Sequence, residues 1–162
     1  MVKFSKRREQ FEVATRSPSQ TKNLGKILAK EILKTLPEKT IILGLVGDLG
    51  GGKTTFLQGF AQGLGIKEKI LSPSFVIMKR FKIPVSNIKY QVSNFYHIDC
   101  YRIKSAGEIL NLSFGEIISN SQNIVTIEWA DRITRILPKD TLILKFEFVD
   151  QKTRKITIKS LK

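Results

Sequence analysis

Cysteine is nearly absent from this sequence: Cys100 stands alone, so no internal disulfide can form, which suits a reducing compartment. Long apolar runs are absent too. The longest, such as residues 41–46, fall far short of the roughly 20 residues that cross a bilayer. The charged start, residues 1–8, is followed by neither an apolar stretch nor a small-residue cleavage site, which argues against a secretory signal. Together these absences point to a cytoplasmic protein. There is no proline, glycine or serine tract, no internal repeat and no linker-like composition. With 41% hydrophobic and 26% charged residues, the expectation is one folded domain over residues 1–162.

Acidic residues are scarce, 14 against 28 lysines and arginines, and the formal net charge is +14. Such a field attracts phosphate-bearing partners, nucleotides and RNA among them. The bases are scattered, however, and are denser only at Lys3, Lys6, Arg7 and Arg8 and again at Lys152, Arg154, Lys155, Lys159 and Lys162. A solvated surface accounts for them equally well, so charge alone assigns no function. For the basic C-terminal strand two readings stand: contact with RNA phosphates, or a sheet edge guarded by lysine.

Residues 11–15 alternate as a short edge strand, and Ser17-Pro18 opens a helix with an N-cap followed by proline at the first turn. Leu24, Ile27, Leu28, Ile32 and Leu36 continue at helical spacing until Pro37. A continuous apolar run, residues 40–46, reads as a buried strand. Residues 54–64 read as an amphipathic helix that Gly65 ends. Further strands are expected at 75–81, 92–98, 123–127, 141–148 and 155–158, and helices near 105–110, 114–118 and 131–137. The sum is an α/β fold of the P-loop NTPase type, with a mixed, mostly parallel central sheet flanked by helices.

Between the strand at 40–46 and the helix at 54–64 lie Gly47, Asp48, Leu49, Gly50, Gly51, Gly52, Lys53 and Thr54, matching G-x-x-x-x-G-K-[ST] without a departure. Four glycines remove the Cβ atoms that would hold an anion away, and let successive amides turn inward around phosphates. The helix that follows adds the positive end of its dipole. Lys53 is expected to reach the β- and γ-phosphates, the Thr54 hydroxyl to ligate Mg²⁺, and Thr55 to add a contact at the α-phosphate. A chance match in a glycine-rich turn would rarely also carry an apolar strand before it and an amphipathic helix after it.

Magnesium held by one hydroxyl and by phosphates calls for a carboxylate at the end of a neighbouring strand. Asp99 and Glu128 both end apolar runs. Either one binds the metal, directly or through water, while the other positions the attacking water. Taken singly, each reads more simply as a helix cap or the partner of a surface lysine. Glu108 reads as a solvated helix residue, His97 as a structural hydrogen-bonding group more readily than a direct participant, and Trp129 as either core or a wall of the site.

The segments Gly47 to Phe56, Ser72-Pro73-Ser74-Phe75, His97-Ile98-Asp99-Cys100-Tyr101-Arg102 and Ile127-Glu128-Trp129, in this order, resemble the TsaE family. The resemblance runs from about residue 15 to residue 138 and is looser beyond. It implies ATP as the nucleotide and hydrolysis coupled to the subunits TsaB and TsaD in making threonylcarbamoyladenosine in tRNA. It places Lys53 and Thr54 on phosphate and Mg²⁺, makes Asp99 and Glu128 the acidic site residues, and gives Ser74 a switch-like place near the γ-phosphate. Serine stands at 74 where the family more often has threonine, and Ala130 where it often has proline. Two rivals remain: a small-molecule kinase of the P-loop class, with Arg132 and Arg135 as lid residues, and a nucleotide-dependent regulatory module without turnover. A guanine-specific switch finds no N-K-x-D segment.

Overall fold

The computed structural model describes the backbone of residues 3–5 and the whole of residues 10–35, 37–72, 76–84 and 92–161. Its strands are β1 (Lys3–Ser5), β2 (Gln10–Thr15), β3 (Ile41–Gly47), β4 (Met78–Lys82), β5 (Asn94–Asp99), β6 (Asn123–Glu128), β7 (Leu142–Phe148) and β8 (Arg154–Ser160). The helices are α1 (Pro18–Lys34), α2 (Lys53–Gly63), α3 (Ala106–Leu110) and α4 (Phe114–Ile118), with a 3-10 helix over Ala130–Ile136. The expectations at Leu36, at residues 73–75 including Ser74, and at the N-terminal bases Lys6, Arg7 and Arg8 lie outside the described residues.

The eight strands among the described residues form one sheet in the order β1-β2-β8-β7-β3-β6-β5-β4. Its centre, β7-β3-β6-β5, is parallel, and both flanks are antiparallel. Two expectations are corrected here. Residues 11–15 are not an edge throughout: β1 pairs outside Phe11 and Glu12, while Val13, Ala14 and Thr15 pair, among the described residues, with β8 alone. Nor is the basic C-terminal strand a lysine-guarded edge: β8 lies between β2 and β7 and bonds to both.

Every residue of β6 is buried, as the central place of an uninterrupted N-I-V-T-I-E run demands. Alternation sorts its side chains between two cores. Ile124, with Leu43 and Leu45 of β3, Phe95 of β5 and Leu144 and Phe146 of β7, packs under α1 and α2. Val125 and Ile127, with Ile42, Ile98 and Ile143, pack under α3, α4 and the 3-10 helix.

Helix α1 starts where its sequence signals it, with the Ser17 hydroxyl accepting from the Gln20 amide at 3.1 Å and Pro18 opening the first turn. It ends at Lys34, where the Thr35 hydroxyl donates to the Ile32 carbonyl at 2.7 Å. Its buried stripe, Thr21, Gly25, Ala29, Ile32 and Leu33, faces α2 and the sheet. The two helices touch backbone to backbone: a methyl on Gly25 would land on the Phe56 carbonyl oxygen, and one on Gly59 on the carbonyl of Lys22. That contact clamps the helix that begins at the glycine-rich loop.

Candidate functional site

The parallel strands β3, β5 and β6 end on one side of the sheet, the side where an α/β sheet offers its crevice. The chain leaves β3 into Gly47–Gly52 and re-enters regular structure at α2. Gly50 and Gly52 take positive φ, 75° and 98°, which a side chain would resist, and the Gly51 amide closes the turn onto the Asp48 carbonyl at 3.0 Å. Gly52 caps α2 without any side-chain bond, so the first-turn amides of the helix point toward the crevice with no intrahelical partner.

Lys53 is only 5% exposed. Its ammonium donates to the carbonyls of Gly47 at 2.6 Å and Asp48 at 2.8 Å and lies 4.2 Å from the centre of the Trp129 ring. Burial pulls its pKa below the ordinary lysine value, and Glu128, Asp48, Asp131 and Asp99 pull the other way.

The two acids are register partners, Asp99 at the end of β5 beside Glu128 at the end of β6. Counting back by twos along each strand, His97 and Thr126 lie one layer below them on the same face, and Phe95 and Ile124 a layer deeper. Glu128 is 2% exposed. The Thr54 hydroxyl donates to it at 3.2 Å from each carboxylate oxygen, and His97 Nε2 lies 3.0 Å from Oε1. Asp99 is held by its own neighbourhood: the Tyr101 amide donates to Oδ1 at 2.9 Å and the Ser72 hydroxyl to Oδ2 at 3.0 Å. Cys100, between these strand ends and the second core, is fully buried, and burial followed by the Asp99 charge pushes its thiol up to about 12. It stays a neutral thiol at physiological pH and is no nucleophile.

A cavity of about 610 Å³ opens above these groups. Leu49, Gly50, Gly51, Gly52, Lys53, Thr54, Thr55, Asp99 and Glu128 all line it; Gly47 and Asp48 do not, and contribute their carbonyls to Lys53 instead. Trp129 lines it as well. Its backbone is left-handed, φ 58°, a conformation uncommon for a residue of this bulk, and the 3-10 helix starts directly after it at Ala130. The ring packs against Tyr101 at 5.0 Å between centroids. Arg132 donates to the Ile103 carbonyl at 3.4 Å and sets its guanidinium 5.7 and 5.8 Å from the Tyr101 and Trp129 rings, but neither it nor Arg135 lines the cavity. Glu108 accepts from the Lys104 amide at 3.1 Å, as a cap at the start of α3.

The far wall of the cavity had no motif to announce it. Pro18 and Thr21 from α1, Gln151 and Lys152 from the β7–β8 turn, and Arg154 at the start of β8 line it. Arg154 donates to the Gly50 carbonyl at 3.2 Å and to the Asp150 carbonyl at 2.7 Å. In the sequence it is one base in a basic run, and only the pairing of β8 with β7 carries it to the loop.

The family model described as "Threonylcarbamoyl adenosine biosynthesis protein TsaE" matches residues 15–156. A relative from Bacillus subtilis (strain 168), named tRNA threonylcarbamoyladenosine biosynthesis protein TsaE, is 34% identical over 149 residues, covering 92% of this chain and 85% of its own. One of the same name from Haemophilus influenzae is 32% identical over 126 residues, 78% of this chain and 75% of its own. Among solved structures, that of Bacillus subtilis YdiB superposes with a TM-score of 0.68 at 31% identity, covering 100% of this chain and 88% of that one.

Proposed function

This chain belongs to the TsaE family, whose members are named for tRNA threonylcarbamoyladenosine biosynthesis, and on that premise we propose that it is a Mg-dependent ATPase acting with TsaB and TsaD in the cytoplasm. The observation that carries the reading is the meeting of Thr54 and Glu128 beside the glycine-rich loop. Two cis ligands of an octahedral Mg²⁺, each about 2.1 Å from the ion, lie about 3.0 Å apart. The Thr54 hydroxyl and the Glu128 oxygens are 3.2 Å apart, so this pair fits the ion with little movement. Among the described residues no three His, Cys, Asp or Glu side chains converge as a self-sufficient metal site. That suits an ion that arrives with phosphate oxygens completing its shell.

Bound there, Mg²⁺ would neutralise charge gathering on the phosphoryl oxygens. The chain's own groups account for the rest. The loop amides and the N-terminus of α2 hold the phosphates, and Lys53 exchanges two carbonyl partners for phosphate oxygens, beneath the Trp129 ring that screens it from water. Glu128, held at 3.0 Å by His97, keeps its place when Thr54 turns its oxygen outward. Asp99 lines the cavity with Ser72 on its Oδ2, an arrangement that supports it as the acid positioning the attacking water. The adenine preference, the role of TsaB and TsaD, and any contact with tRNA through the basic surface rest on family membership.

Trp129 is the only tryptophan, so its fluorescence reports on the site directly. ATP with Mg²⁺ is expected to change it saturably, and GTP to do so more weakly. Glu128→Ala is expected to lower hydrolysis measured with TsaB and TsaD about 100-fold and to weaken the Mg²⁺ requirement for binding. A variant that hydrolyses ATP at the wild-type rate would remove Glu128 from the mechanism; an unchanged spectrum with every nucleotide would remove the nucleotide site.

A further inference from the structure

His97 is the one histidine of the chain, it is 2% exposed, and it points from β5 to the carboxylate of Glu128 on β6. Among the described residues the hydrogen bonds to that carboxylate come from Thr54 and His97 alone. These two donors differ in what they can do next. Thr54 begins the helix at the phosphate loop and lines the cavity, so its hydroxyl is the group that must turn when a cation and phosphates enter. His97 is fixed in a strand between Lys79 of β4 and Thr126 of β6, with Phe95 two residues behind it in the core, and has no such freedom. An ionised carboxylate only accepts, and toward one the bond takes the tautomer with the proton on Nε2.

We propose that His97 is a positioning residue that anchors Oε1 of Glu128, so that the carboxylate presents Oε2 to the cation beside Thr54 in one orientation. A glutamate side chain has three rotatable bonds. At the end of a strand, with one donor withdrawn, it would sample orientations in which both oxygens are off the line to Thr54. A buried imidazole on one oxygen removes that freedom before the ion arrives, as outer-sphere partners of metal-ligating carboxylates do. The inference rests on the ATPase reading, because it assigns His97 a task only if a cation sits between Thr54 and Glu128.

The test measures binding of a non-hydrolysable ATP analogue by calorimetry, with Mg²⁺ and with chelator, alongside steady-state hydrolysis with TsaB and TsaD and a thermal unfolding scan. The variants are His97→Leu, which fills the space without a donor, and His97→Gln, whose amide nitrogen reaches about where Nε2 lies. In His97→Leu the affinity in chelator is expected to stay within about threefold of wild type. The tightening by Mg²⁺ is expected to shrink by 10- to 100-fold, with kcat falling similarly and KM moving less. His97→Gln is expected to recover most of both. A folded His97→Leu with wild-type Mg²⁺ tightening would overturn the proposal, as would a folded His97→Gln no better than His97→Leu. Should His97→Leu fail to fold, His97→Gln decides by itself: retained tightening supports the anchor, and lost tightening in a folded protein refutes it. If wild type shows no Mg²⁺ tightening at all, the ATPase reading falls, and the anchor with it.

Discussion

Lys53→Ala is expected to lower kcat/KM for ATP by about 10³-fold, the upper end of what removing one pre-placed donor costs, while the protein stays folded. The lysine is almost fully buried, and it lines the cavity into which the first-turn amides of α2 point. Its removal takes away a side-chain cation held at the loop by two carbonyls. The effect on stability is small because two contributions oppose. A buried charge that burial disfavours is removed, yet the carbonyls of Gly47 and Asp48 lose their donor. Lys53→Arg is not expected to rescue turnover, since a planar guanidinium cannot take a place that admits one nitrogen 2.6 and 2.8 Å from two oxygens. The lowered pKa adds a pH limit. On raising the pH, Lys53 gives up its proton before a free lysine would, so phosphate affinity declines first on the alkaline side. Phosphate release and a thermal scan on the same preparations check these statements. Turnover within tenfold of wild type in folded Lys53→Ala would mean that the loop is not where phosphoryl transfer occurs.

Gly59→Ala is the substitution expected to cost most stability, about 3 kcal/mol or more, at the overpacking extreme of core changes. A methyl there meets the carbonyl oxygen of Lys22, a backbone atom that cannot rotate aside, and Gly25 faces the same seam from α1 onto Phe56. Relief requires the helices to move apart, which loosens Leu57, Phe60 and Ala29 from the first core. Because α2 starts at the phosphate loop, nucleotide binding is expected to weaken together with the unfolding midpoint. Denaturant unfolding with and without ATP measures both. An unfolding free energy within about 1 kcal/mol of wild type would show that the seam yields more easily than its geometry indicates.

The loop was readable because its chemistry is local: spacing, glycines and the flanking strand and helix all fall within residues 40–64. Asp99 and Glu128 were readable because each ends an apolar run, and parallel pairing of those runs puts them side by side. What holds their side chains in place was not readable. The bond from His97 to Glu128 crosses 31 residues and depends on register, which no single strand pattern contains. Arg154 and the interior place of β8 depend on antiparallel pairing at the sheet flank, and alternation of apolar residues is the same whether a strand has one neighbour or two. Trp129 in its left-handed turn was ambiguous for a related reason, since its ring packs on Tyr101 on one side and lies over Lys53 on the other.

The pairing of β8 between β2 and β7 also dictates an order of events while the chain is being made. Gln10 meets Lys159, so closing that ladder spans nearly the whole sequence, an entropic toll of about 4 kcal/mol before any contact repays it. During synthesis on the ribosome, β3, α2, β5 and β6 have all emerged before the strand that braces the phosphate loop through Arg154 and Gly50. The nascent chain therefore passes through a stage in which the segments bearing Lys53, Asp99 and Glu128 have emerged but one wall of the cavity is missing. Closure of the cavity proposed to hold ATP waits on β8.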